Sequence, residues 1–302
     1  MDSSIALDNR CLEKNYPITL DAENRKITEE ESSTNIQTCW TCGSCDFECP
    51  INIFTGSLRP QKIVRMANLG LLDELVALPD IWYCINCRRC GQVCPNVVKP
   101  WALIEYVRLT AIFRKNISWK KIQAYKHLWA SFQKVRWHVI QACLQGREIV
   151  NVSDQQWDDW LNKKGPHSDS IIRQGIGTPY PNALKKWKQS YLTSNCYTCN
   201  ECGSACLVSC ERSIFDPSAI VRMVNLGMLD ELLISPSIWL CLSCQRCSEC
   251  CSQMVDCANL IQTLQELSIS SGAVDFGLKI RIENSSRAVY QRLISEINQL
   301  MG

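Results

Sequence analysis

Most of the 21 cysteines in this 302-residue chain stand at one repeated spacing, and that spacing dictates what the fold must enclose. The run Cys-x2-Cys-x2-Cys-x3-Cys occurs four times, and the last two runs repeat the first two at an offset of 157 residues. The runs are Cys39, Cys42, Cys45, Cys49; Cys84, Cys87, Cys90, Cys94; Cys196, Cys199, Cys202, Cys206; and Cys241, Cys244, Cys247, Cys251. Pro50 and Pro95 directly follow the first two runs, and a proline there turns the chain away after the last cysteine.

This spacing is typical of cubane [4Fe–4S] clusters. Three cysteines two residues apart reach three corners of one cube, while the fourth points away and ligates the cluster held by the partner run. The spacing therefore predicts up to four clusters with crossed ligands. The predicted sets are Cys39, Cys42, Cys45, Cys94; Cys84, Cys87, Cys90, Cys49; Cys196, Cys199, Cys202, Cys251; and Cys241, Cys244, Cys247, Cys206.

Two other uses of cysteine compete with clusters. Structural zinc sites take cysteines in separated pairs and give no reason for a third cysteine with a displaced fourth. Disulfide frameworks suit small secreted chains, and residues 1–10 show no secretion signal. We therefore favour clusters, with zinc as the alternative.

Composition narrows the setting. A net charge of +2 gives no general attraction to nucleic acid. No run of 18 or more apolar residues exists, so no spanning helix is expected. Abundant thiols without an export signal predict a reducing compartment, the cytoplasm.

The duplication extends beyond the cysteines and has a helical pattern. Between the runs, residues 63–66, 68–70 and 72–75 recur at 220–223, 225–227 and 229–232. Pro60 is expected to open a helix, Gly70 to end it in the left-handed conformation, and Pro79 to stop a second one. Apolar and polar residues do not alternate with the period of two that β-strands show. The sequence therefore predicts a mostly α fold with two tandem helical-ferredoxin modules, each built around two [4Fe–4S] clusters, joined by helical linker segments.

The predicted organisation has five parts. They are an N-terminal extension (1–35), the first module (36–100), basic amphipathic helices with a linker (101–190), the second module (191–258) and a helical tail (259–302). The basic segment carries Ile122, Tyr125, Leu128, Trp129, Phe132 and Val135 at helical spacing. We expect this face to pack against protein, with a membrane surface as the less favoured alternative. The tail places Val289, Leu293, Ile297 and Leu300 on one side, and is expected to cap a module or meet another protein of a complex.

Both modules resemble the iron–sulfur C subunit of heterodisulfide reductase, and more distantly the helical ferredoxins of succinate dehydrogenase and anaerobic glycerol-3-phosphate dehydrogenase. The shared features are the paired cysteine runs, the Ile-Val-Arg-Met-x-Asn-Leu-Gly stretch and the Ile-Trp pair before the second run. The resemblance implies an electron-transfer subunit that works between a flavin-containing subunit and a catalytic subunit with Cys-Cys-Gly motifs. The relatives of this kind usually have one module, so the doubling is a departure.

The second module departs further. Leu207 and Ser252 replace the two prolines, and Cys210, Cys250 and Cys257 are added. These three cysteines are candidate alternative ligands, and altered ligation would leave a [3Fe–4S] cluster. A copy kept only for its structure is the alternative to a loaded second module. Cys250-Cys251-Ser252 does not match Cys-Cys-Gly and receives no catalytic role.

No substrate-converting site is predicted, because the sequence has neither a Rossmann glycine stretch nor a nucleophile elbow. The remaining functional alternatives are the iron–sulfur subunit of another oxidoreductase, a hidden redox reaction at the extra cysteines, and a zinc-stabilised scaffold.

The remaining candidate residues carry weaker predictions. Cys11 and Cys143 are expected to be small buried apolar side chains. His127, His138 and His167 show no ligand pattern. Arg89 and Arg246 either raise the reduction potential of the nearer cluster or are solvated surface charges.

Overall fold

The computed structural model describes residues 20–162, 186, 188–210 and 214–302. Cys11, His167 and most of the predicted linker lie outside these ranges. Every regular element within them is an α-helix or a 3₁₀ turn. The structure thus confirms the predicted mostly α-helical class.

The first part of the chain contains short helices around the cysteines and long helices after them. Its α-helices are α1 (Ala22–Ser32), α2 (Ser44–Phe47), α3 (Pro50–Thr55), α4 (Pro60–Asn68), α5 (Leu72–Ala77), α6 (Arg89–Gln92), α7 (Pro100–Phe113), α8 (Trp119–Leu144) and α9 (Asp154–Asn162). 3₁₀ turns lie at Ile36–Thr38 and Pro79–Tyr83.

The second part repeats much of this order. Its α-helices are α10 (Glu201–Ala205), α11 (Pro217–Asn225), α12 (Leu229–Leu233), α13 (Arg246–Glu249), α14 (Cys257–Ser270) and α15 (Leu278–Met301). 3₁₀ turns lie at Thr193–Asn195 and Pro236–Leu240.

The helices between the cysteine runs begin and end where the sequence predicts. Pro60 is the first residue of α4, where a proline loses no helical hydrogen bond. Gly70 follows with φ of +80°, and a Cβ there would lie 2.0 Å from the Asp21 carbonyl oxygen. This position therefore requires glycine, both for its conformation and for the close approach of the N-terminal segment. The helix α5 ends before Pro79, so all three predictions are confirmed.

The structural repeat continues past the cysteine-rich segments. Helix α14 begins and ends 157 residues after α7, and α15 covers nearly the whole range equivalent to α8. Sequence similarity between these long helices is too weak to reveal the correspondence. The repeated unit is therefore a cysteine-rich module followed by two helices.

The long helices form much of the core. On α8, Phe132 and Val135 are fully buried, which agrees with the predicted packing against protein. On α15, Val289, Leu293 and Ile297 are buried against the same core. Helix α1 packs on α7 and α4, so the described end of the N-terminal extension covers the first module. None of the described helices is both long and apolar enough to cross a bilayer.

Candidate functional site: four cysteine sites

All four cysteine runs share one backbone conformation. The residues just before and just after the second cysteine have positive φ in every run. These residues are Thr41 and Gly43, Asn86 and Arg88, Thr198 and Asn200, and Ser243 and Gln245. A short helix (α2, α6, α10 or α13) follows each time and carries the third cysteine. Because most of these residues are not glycine, the left-handed turns carry a conformational cost that marks a built site rather than a loose loop.

One predicted ligand set of the first module lines a single cavity. Cys39, Cys42, Cys45 and Cys94 line one cavity open to solvent, and Cys42 is exposed at its mouth. We call this the first outer site. The Val98 N–H donates to Cys94 Sγ at 3.4 Å. The pKa of Cys42 is lowered by hydrogen bonding to Ser44, whose hydroxyl oxygen lies 3.4 Å from the Cys42 sulfur.

The other set of the first module forms a more buried group, the first inner site. Its members are Cys49, Cys84, Cys87 and Cys90, of which all but Cys84 are buried. Burial raises the pKa of Cys49 to about 12, and charge repulsion from Cys84 and Cys87 adds to the rise. The structure therefore brings the fourth cysteine of one run to the first three of the other.

The second module has the same two-site arrangement. Its outer site is a cavity open to solvent and lined by Cys196, Cys199, Cys202 and Cys251, with Cys199 exposed. Its inner site is a cavity lined by Cys206, Cys241, Cys244 and Cys247. Cys247 lines both cavities of this module, so the two sites share one wall.

Backbone amides approach the sulfurs at equivalent positions of the two inner sites. The Asn86 N–H donates to Cys84 Sγ and the Ser243 N–H to Cys241 Sγ, each at 3.4 Å. These contacts follow from the left-handed residues, which turn the amide inward. A bound anionic cluster gains from such donors, because hydrogen bonds to the ligand sulfurs stabilise its reduced form.

The pKa shifts of the buried thiols fit a metal group with a cationic core, which becomes anionic overall only together with its four thiolates. Burial raises the pKa of Cys87 and of Cys241 to about 12, with further increases from neighbouring thiols. Four such groups cannot all ionise together unless positive charge lies among them, and iron provides it. In the described ranges, no three Cys, His, Asp or Glu side chains converge tightly enough for a single metal ion. The cysteines surround cavities instead.

The three extra cysteines of the second module lie in different places. Cys257 is buried, lines the second outer cavity and also contacts Cys247. Cys250 and Cys210 line neither cavity of that module, and their thiols contact backbone carbonyls of Cys247 and of Leu207 and Val208. Among these three cysteines, Cys257 is therefore the one that lines a cavity of predicted ligands, and its thiol also contacts the Pro217 carbonyl at 3.6 Å.

The single cysteines and histidines in the described ranges lie away from the four sites. Cys143 is buried on α8, 3.4 Å from the Ser285 hydroxyl, in agreement with its predicted structural role. His138 packs between Trp137 and Trp160.

Arg89 and Arg246 differ in their partners. Arg89 Nη2 lies 2.8 Å from Glu48 Oε2, whereas no ion pair of Arg246 is found in the described ranges. The residue equivalent to Glu48 is Ala205, which explains the difference. Burial raises the pKa of Cys87 and of Cys244, and the guanidinium group two residues later partly opposes each rise.

Sequence reasoning missed two residues that brace the inner sites. Arg108 donates from Nε to the Ile81 carbonyl at 2.7 Å and from Nη2 to the Cys84 carbonyl at 2.5 Å. Gln265, 157 residues later, donates to the equivalent Ile238 carbonyl at 2.7 Å. The sequence repeat is too weak in α7 and α14 to mark them, because only the structure extends the 157-residue offset into these helices.

Comparisons with known proteins find relatives of the first module. A family model described as a 4Fe-4S dicluster domain matches residues 35–98. The iron-sulfur C subunit of CoB–CoM heterodisulfide reductase from Methanopyrus kandleri is 38% identical over 73 residues, which cover 24% of this chain and 38% of that protein. The corresponding C 2 subunit of Methanocaldococcus jannaschii is 31% identical over 105 residues, covering 35% of this chain and 55% of that protein.

A third relative is also similar to this chain over part of its length. A protein of Archaeoglobus profundus, named for its likeness to the C subunit of heterodisulfide reductase, is 31% identical over 83 residues, covering 28% of this chain and 44% of that protein. The chain thus spans roughly half, or less, of the length of these curated relatives. The matches confirm the resemblance to the heterodisulfide reductase C subunit and the presence of a 4Fe-4S domain.

Proposed function

We propose that this chain is the electron-transferring iron–sulfur subunit of a cytoplasmic complex similar to heterodisulfide reductase, and that it holds up to four [4Fe–4S] clusters. The observation that carries the proposal is the crossed gathering of cysteines. Three of the four predicted ligand sets line one cavity each, and the fourth forms a buried, mutually interacting group. A mononuclear zinc site would need neither the crossing nor the open space.

The chain's own residues would hold and tune the clusters. When bound, a [4Fe–4S] cluster takes up and returns one electron at a potential that the protein sets. The thiolates fix its position, the inner-site amides donate to the sulfurs, and burial keeps water from the inner sites. Arg108 and Gln265 are positioning residues. Arg108 holds the backbone at Cys84, and Gln265 holds the Ile238 carbonyl three residues before Cys241.

The proposed partners follow from the relatives, whose names describe them as iron-sulfur subunits of a reductase. We propose that a flavin-containing subunit and a subunit with Cys-Cys-Gly motifs flank this chain. Substrate chemistry would belong to those partners, and this chain would pass electrons between them.

The structure also suggests where the modules end. The predicted bounds are 36–100 and 191–258. Since α7 packs on α4 and α5, and α14 packs on α12 and α13, we propose that each module includes the helix that follows it. The first module would then extend to Phe113 and the second to Ser270.

Anaerobic purification of the full chain tests the proposal. Iron, acid-labile sulfide and zinc are measured on one sample, which is then reduced with dithionite and reoxidised with thionin, a dye of higher potential. We expect about four clusters' worth of iron and sulfide and a visible absorption band that bleaches and returns. A colourless protein that carries zinc, or a bound cluster that the dye cannot reoxidise, would contradict the proposal.

A further inference from the structure

The two modules touch through equivalent residues. Gln92 Nε2 donates to Glu249 Oε1 at 2.9 Å and to the Cys244 carbonyl at 3.2 Å. Glu249 stands 157 residues after Gln92, so each is the other's counterpart in the repeat. The carbonyl that Gln92 reaches belongs to Cys244, the counterpart of Cys87, so the contact lies beside a predicted ligand of the second inner site. Contacts between counterparts occur where a two-fold axis passes through an interface.

The long helices obey the same symmetry. Helix α8 follows the first module but packs on the 3₁₀ turn of the second, where Arg136 Nη2 donates to the Leu240 carbonyl at 2.9 Å. Helix α15 follows the second module but packs on the 3₁₀ turn of the first, where the Tyr83 hydroxyl donates to Asn298 Oδ1 at 2.5 Å. Tyr83 and Leu240 are counterparts. The long helix of each half therefore packs on the cysteine-rich module of the other half.

The contacts between α8 and α15 locate the axis. Lys121, near the start of α8, reaches the Met301 carbonyl at the end of α15 at 3.1 Å. Arg281, near the start of α15, reaches the Cys143 carbonyl near the end of α8 at 3.1 Å. The helices are thus antiparallel and reciprocal. At their midpoint the Phe132 and Tyr290 rings meet with centroids 5.2 Å apart, and Tyr290 directly follows the counterpart of Phe132.

From these contacts we infer that the chain is a dimer fused into one polypeptide. Its halves are related by a local two-fold axis and exchange their long helices, so that the two inner cysteine sites adjoin at the axis. Exchange of an identical element is a common way for two protomers to form a dimer. The inference depends on the proposed function only in that the adjoining sites hold clusters, because the contacts involve residues of the chain itself.

The arrangement sets the two outer sites apart from the axis. Among the sixteen cysteines of the four sites, only Cys42 and Cys199 are exposed, and both belong to outer sites. Each outer site presents its exposed cysteine beside an exposed aromatic counterpart, Trp40 or Tyr197. The sites that an external protein can reach are therefore the two outer ones, and the inner pair connects them.

A zero-length cross-link tests the contact at the axis without using the cysteines. In the full chain, Gln92→Lys places an amine beside Glu249, and a water-soluble carbodiimide condenses the two into an amide as it takes up the water lost. Peptide mapping should find position 92 joined to Glu249. The double variant Gln92→Lys with Glu249→Gln is the matched control and should lack this peptide.

A reciprocal variant covers the case in which the first one does not fold. Gln92→Glu combined with Glu249→Lys exchanges the two groups and should give the same bond. Iron analysis of each sample separates the two proposals. A cross-link without iron supports the fused dimer and contradicts the proposed function. Iron-loaded protein that gives the bond in neither variant overturns the fused dimer.

Discussion

The two modules keep the same cysteine loops in different surroundings. In all four runs the same two positions have the left-handed conformation and a short helix follows, although most residues between the cysteines differ. The neighbours of the loops have diverged. Cys257 stands where the first module has Pro100, and Leu207 stands where Pro50 opens α3. The loop geometry thus accompanies the cysteine spacing in both modules, whereas the surrounding residues differ and can change how each site behaves.

The exchange of Pro100 for Cys257 is the most consequential difference. Both residues begin a helix, α7 or α14, and both line the outer cavity of their module. Proline offers no ligand, while a buried thiol in the same place does. The second outer site therefore has a spare sulfur that the first lacks.

Removing the fourth ligand of each outer site should have the largest effect, and an unequal one. Cys94→Ser leaves the first outer site with three sulfurs, so we expect it to lose its cluster or convert it to [3Fe–4S]. Cys251→Ser should keep a four-iron cluster, because Cys257 can replace the lost ligand. Iron content and electron paramagnetic resonance of anaerobic samples measure both outcomes.

The double variant Cys251→Ser with Cys257→Ser provides the control. It should lose the second outer cluster as Cys94→Ser loses the first. Equal losses from Cys94→Ser and Cys251→Ser alone would show that Cys257 is no reserve ligand.

The braces of the inner sites should differ in strength. Arg108 donates three charge-assisted hydrogen bonds, two of them to backbone carbonyls, and lies over the Trp82 and Tyr125 rings, whereas Gln265 makes one neutral hydrogen bond. We expect Arg108→Ala to lower the free energy of unfolding by about 2–3 kcal/mol and Gln265→Ala by about 1 kcal/mol. Denaturant unfolding of the loaded protein, followed by tryptophan fluorescence, gives the ranking. Arg108→Gln, which copies the second module, should fall between wild type and Arg108→Ala, and the opposite order would refute the comparison.

Arg89 and Arg246 should differ in their effect on the reduction potential of the inner site of their own module. Glu48 offsets the charge of Arg89, while no carboxylate pairs with Arg246 in the described ranges. Arg246→Gln should therefore lower the potential of the second inner site by an amount on the order of tens of millivolts, and Arg89→Gln should lower that of the first by less. Redox titration monitored by paramagnetic resonance measures both. The Glu48→Gln variant should raise the first potential, and an unchanged value there would remove the proposed offset.

Substituting the remaining extra cysteines should have the smallest effect. The thiols of Cys210 and Cys250 face backbone carbonyls rather than a cavity. Cys210→Ser and Cys250→Ser should leave iron content, sulfide content and the resonance spectrum unchanged. Loss of a cluster in either variant would mean that the second module is ligated differently from the first.

Much of the site follows from sequence because ligation is a local requirement. The cysteine spacing, Pro60 and Gly70 act through bonds and backbone angles within a few residues, so the cysteine loops and the helix ends were predictable. The exchanged helices were not. Their partners are set by packing between segments more than a hundred residues apart, and α15 shares almost no sequence with α8. The same holds for the contact of Gln92 with Glu249, which exists only once both halves are folded.

An anomalous-difference map at the iron absorption edge, from crystals of the anaerobically prepared full chain, would locate the clusters. We expect four iron peaks, one within each crossed cysteine set, with the two inner peaks as neighbours across the axis. Peaks within single uncrossed runs, a signal at the zinc edge instead of the iron edge, or iron in the first module alone would contradict this expectation.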